Sequence, residues 1–89
     1  MNARNTMHST FTVAINALIA QKHLLEDAIA YDKLSVAAYY ELADATKPVT
    51  TENAFNNLNY WKNALRADRA KMRKIDSSLR ILKKMVGML

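Results

Sequence analysis

Residues 58–86 read LNYWKNALRADRAKMRKIDSSLRILKKMV, and the spacing within them decides the fold. Starting at Leu58 and stepping alternately by three and four residues gives Trp61, Leu65, Asp68, Met72, Ile75, Leu79, Leu82 and Val86; of these nine positions only Asp68 is polar. A seven-residue apolar repeat sustained over this length is the periodicity of a left-handed coiled-coil seam. The stretch is therefore a long helix with one face made to be covered. Pro48 pushes Lys47 out of the helical region, Thr50 or Thr51 can cap the helix with Glu52 in its first turn, and Gly87 suits the left-handed position after a last turn. These signals predict a turn at 47–50 and a helix at 51–86.

Upstream, no Gly or Pro occurs before Pro48, so the punctuation permits only long helices. Phe11, Ile15, Leu18, Leu25 and Ile29 form one apolar stripe, and Tyr31, Leu34, Ala38, Leu42 and Ala45 form another. Continued at about 3.6 residues per turn, the second stripe falls nearly opposite the first. A break at Asp32, with Ser35 three residues on, reconciles them and predicts helices at 9–30 and 33–46, with residues 1–8 frayed. Val13, Ala17, Ala20 and Leu24 also line a second side of the first of these helices, which marks it as buried between neighbours.

The expected architecture is thus all-α: one domain over 1–89, with three helices and a long C-terminal coiled-coil-like helix. At 1.5 Å per residue the last helix is about 54 Å long and its two neighbours about 33 Å and 20 Å. Neither neighbour covers it alone. An uncovered end of the seam should then meet another copy of the chain, most simply in a homodimer.

Composition narrows the class. With 89 residues, one Gly, one Pro and no Cys, the chain is neither collagen-like, disulfide-stapled nor low in complexity, and it lacks Cys-ligated zinc, a thiol nucleophile and a redox switch. No stretch approaches the roughly 20 apolar residues of a membrane span. Thr12 and Asn16 interrupt Phe11–Ala20, so that segment reads as structure and not as a signal peptide, and the default location is cytoplasmic.

The net charge of +5 is unevenly placed: residues 1–50 carry four Lys or Arg against five Asp or Glu, and residues 51–89 carry nine against three. Much of the excess lies in a second heptad line, Lys62, Arg66, Arg69, Arg73, Asp76, Arg80 and Lys83, about 100° around the helix from the apolar one. Such a stripe can track phosphates, because arginine forks fit them and counterion release drives binding. It can equally be the solvated flank of a coiled coil, with Asp76 paired to Arg73 or Arg80. Tyr60 and Trp61 sit at one end of the stripe and do not interleave with it, and no helix-turn-helix pattern accompanies it.

Asp68 either fixes register within the seam or faces solvent and Lys71. His23 and Glu26, with Asp27 and Asp32 beyond, lack the second copy that bundle metal sites require, so a surface pair is expected and no metal or cofactor. His8 lies in the frayed start. Ser77 to Leu89 is basic and amphipathic, which suits protein contact better than a membrane surface. Tyr39 and Tyr40 are adjacent and so point in different directions, placing at least one at a surface.

The sequence thus reads as a non-enzymatic helical interaction protein of adaptor, chaperone or inhibitor type, which self-associates through the seam and binds another protein. The alternative is a nucleic-acid or nucleotide binder using Lys62, Arg66, Arg69, Arg73, Arg80 and Lys83.

Overall fold

Two helices account for the described chain. In a computed structural model that describes residues 3–45 and 48–89, α1 spans Ala3–Ala45 and α2 spans Pro48–Met88. They run antiparallel, as shown by Lys22 meeting Asp76 and Tyr31 meeting Trp61. The result is a rod of 69 × 15 × 13 Å.

The expected break at Asp32 is absent, and α1 continues through it as one helix of 43 residues. The physical reason lies in the seam. Phe11, Ile15, Leu18, Lys22, Leu25, Ile29, Asp32, Val36, Tyr39 and Ala43 keep a single three-and-four spacing and are the buried or half-buried line of α1. Lys22 and Asp32 interrupt that line chemically but not geometrically. The stripe that includes Tyr31, Leu34 and Ala38 lies on the other side and continues Val13, Ala17, Ala20 and Leu24. Two parallel stripes on one helix, and not a phase change between two helices, explain the pattern.

The N-terminal residues from Ala3 are helical where fraying was expected; Thr10 and Thr12 hydroxyls donate to the carbonyls of Thr6 and His8, each at 2.9 Å. Of the expected turn at 47–50, Lys47 lies outside the described residues, while Pro48, Val49 and Thr50 are already helical. Proline suits a first helical position because its missing N–H would have no partner there. Gly87 adopts no positive φ and remains in the helix, so it is not the left-handed cap; the chain ends through a tighter bond from Leu89 N to Val86 O at 3.1 Å.

At 1.5 Å per residue α1 and α2 are about 64 Å and 61 Å long, so the hairpin arms match. The length mismatch from which an uncovered end of the seam was expected does not exist. All nine residues from Leu58 to Val86 on the α2 heptad are buried or half-buried, and the line extends one step back to Ala54, only 2% exposed. Small Ala43 and Ala54, both buried, let the arms close where they join.

Candidate interaction surfaces

Three surfaces result: the seam between the helices, the basic flank of α2 and the back of α1. In the seam, the one polar position of the α2 line meets a polar position of the α1 line. Asp32 is 4% exposed and hydrogen-bonds Asp68, whose other neighbour is Lys71 with Nζ 3.8 Å from Oδ1. Burial first, then the hydrogen bond and the charge of Asp68, push the Asp32 carboxyl up to about 6. Asp32 Oδ2 is buried without a hydrogen-bond partner among the described residues. Two carboxylates sharing an apolar seam favour the state in which one keeps its proton and donates to the other.

A second polar crossing lies ten residues before Asp32. Lys22 Nζ donates to Asp76 Oδ1 at 2.8 Å, and this bond, then the charge of Asp76, hold the ammonium pKa above its ordinary value. Asp76 therefore pairs across the hairpin and not with Arg73 or Arg80. The aromatic end is ordered by edge contacts of Trp61 with Tyr31 and with Tyr60, both with ring centroids at 5.2 Å.

On the flank of α2, about 100° from the seam, Lys62, Arg66, Arg69, Arg73, Arg80 and Lys83 are all exposed. None of these six makes an ion pair among the described residues, since Asp76 is taken by Lys22 and Asp68 by Lys71. Lys62, Arg66, Arg69 and Arg73 line a shallow groove with Leu65 as its apolar member. One helix supplies every wall of it. It can lie along an extended anionic surface but encloses nothing.

The back of α1 is the opposite in chemistry. Val13, Leu24 and Leu34 are 66%, 71% and 71% exposed, and Tyr31 is largely exposed as well. The line they share with Ala17, Ala20 and Ala38 is broken by Asp27 and bounded by Glu41. Leu24 also borders an apolar groove between the helices, formed with Leu25 and Ile75 and rimmed by Lys71 and Lys74. Tyr39 turns partly inward while Tyr40 is exposed.

His23, Glu26 and Asp27 are exposed while Asp32 faces α2, and among the described residues no group of three or more His, Cys, Asp or Glu converges. No described helix is long and apolar enough to cross a membrane. Searched against family models, curated proteins and solved structures, the chain has no match.

Lys22 and Asp32 are the seam residues that sequence reasoning missed. The signal was present: both fall on the heptad drawn through Phe11, Ile15, Leu18, Leu25 and Ile29.

Proposed function

We propose that this chain is a non-enzymatic helical interaction protein, a two-helix strut that self-associates on one side and binds another protein with the other. The observation that supports this reading is the segregation of two exposed lines, an apolar one on the outer side of α1 and a cationic one on the flank of α2. The seam residues of the two helices face each other within the hairpin, and we assign contact with other molecules to these outer faces. An exposed apolar line this long marks an association surface, and six cations without an ion-pair partner among the described residues suit an acidic protein face. Light scattering at micromolar concentration tests the first half, with at least twice the mass of 10.1 kDa expected. Recovery of one acidic protein by the wild type, and its loss with Arg66→Gln, Arg69→Gln and Arg73→Gln together, tests the second.

The same six cations favour a second reading, binding of nucleic acid or nucleotide along the α2 groove. Counterion release makes such binding fall steeply between low and moderate salt. Retention on immobilised nucleic acid that collapses over that range, and that the triple variant lacks, supports this reading over a protein partner.

A further inference from the structure

We infer that the apolar back of α1 is covered by the same face of a second copy, in an antiparallel register centred on Ile29. The inference rests on the self-association proposed above and specifies its geometry. A compact monomer of this mass exposes about 5,300 Å², whereas this chain exposes 6661 Å². The surplus over the whole rod, about 1,400 Å², leaves room for the roughly 800 Å² that each partner buries in a standard stable interface. The apolar line from Val13 to Ala38 runs about 37 Å, long enough to supply that contact.

Register follows from the side chains. Centred on Ile29, the antiparallel pairing sets Leu24 against the partner's Leu34 and Ala20 against the partner's Ala38, each contact occurring twice. It also sets Asp27 against the partner's Tyr31, whose hydroxyl can donate to the carboxylate. Shifting the centre by half a heptad toward either end puts Leu24 against an Asp27 or a Glu41. A parallel arrangement puts Asp27 on Asp27 and Glu41 on Glu41, and like charges in contact oppose association. The basic flanks of α2 do not substitute, since pairing them would bring two sets of six cations together, and the outer line of α2 carries no large apolar side chain between Tyr60 and Ile81. In the antiparallel assembly the α2 helices lie outermost, with their cations in solvent.

The absence of cysteine from the chain permits a direct test. Chains carrying Ala20→Cys and chains carrying Ala38→Cys are mixed in equal amounts, oxidised gently and mapped by peptide mass. Within one chain the two positions are about 27 Å apart along the helix, far beyond the roughly 4–7 Å between Cα atoms that a disulfide spans. The expected product is the mixed 20–38 bridge, in roughly tenfold excess over either self-bridge, a difference of about 1.4 kcal/mol. Circular dichroism of each variant checks that the helices persist, and Ala67→Cys on the back of α2 should form no bridge under the same conditions. Predominant 20–20 and 38–38 bridges overturn the register and leave self-association standing. Absence of any bridge, with the mass of a monomer, overturns both.

Discussion

The outer line of α1 and the basic line of α2 are built on the same hairpin, the first opposite the seam and the second about 100° from it, and they carry opposite chemistry. Along α1 the outward positions are Val13, Leu24, Tyr31 and Leu34, with alanines between them. Along α2 the corresponding outer side is mixed: Asn56, Asn63, Lys74, Ser77 and Lys84 alternate with Ala67, Ala70 and the exposed Tyr60 and Ile81, and the arginines lie on the flank beside it. A helix that is apolar on two sides is suited to burial between two neighbours, and the hairpin supplies α1 with only one. The outer line of α2 carries no large apolar side chain between Tyr60 and Ile81, so less of it calls for a cover. On the proposed self-association, this difference makes α1 the central helix of the assembly and α2 the peripheral one.

The largest expected effect breaks this comparison at α1. Leu24→Asp with Leu34→Asp should leave the hairpin helical but raise the dissociation constant of the assembly by at least ~100-fold, because burial of each leucine contributes about 1.5–3 kcal/mol and each occurs twice. Sedimentation over a concentration series reads this. Ile81→Asp, an exposed apolar residue on α2, should change the mass at no concentration. Equal effects of the α1 and α2 variants would erase the distinction between the backs.

A second prediction concerns the seam that both backs share. The Asp32 carboxyl, raised to about 6 in the folded chain from 3.8, makes the folded state bind more protons over that interval. The sign follows: stability from this group is fully present below about pH 4, is lost as pH rises through about 6, and is flat above. Urea midpoints measured from pH 4 to 8 should fall in that order. Asp32→Asn, which keeps a donor toward Asp68 and removes the buried charge, should flatten the profile and raise the midpoint at pH 8. A profile unchanged by the substitution would show that the two carboxylates do not share a proton.

A third sharpens the account of α2. Replacing Arg66, Arg69 and Arg73 by Gln should leave helicity and oligomeric mass nearly unchanged, as Gln is also a good helix former. If phosphates are the ligand, the salt slope of binding should shallow by nearly one unit for each phosphate that is no longer neutralised. Unchanged binding to every nucleic acid tried at low salt would leave a protein as the partner of that face. The smallest effect is expected from Gly87→Ala. Gly87 is helical with nothing within 4 Å of an added Cβ, so alanine should stabilise the end of α2 by at most about 0.5–1 kcal/mol, read as a small rise in melting temperature.

Much of this was legible in the residues. The heptad from Leu58 to Val86 is the face of α2 that meets α1, because eight apolar side chains at one spacing leave little freedom. Exposure of the cations from Lys62 to Lys83 was legible for the same reason, as a line about 100° from a covered seam stays in water. The helix count was not. Lys22 and Asp32 hide the α1 seam from a search for apolar residues, and their partners, Asp76 and Asp68, are 54 and 36 positions away in the chain. Polar seam positions declare themselves only once the other helix is in place. Gly87 misled in a simpler way: glycine permits a left-handed cap without requiring one.

The claim that α1 is covered and α2 is bare is tested most directly by the thiol reactivity of two single-cysteine chains, Ala20→Cys and Ala67→Cys, since the chain has no cysteine of its own. The account predicts that at micromolar concentration the thiol at position 20 reacts at least roughly tenfold more slowly than that at 67, and that dilution abolishes the difference, as mass action requires. Equal reaction rates at every concentration, with both chains folded, would contradict it.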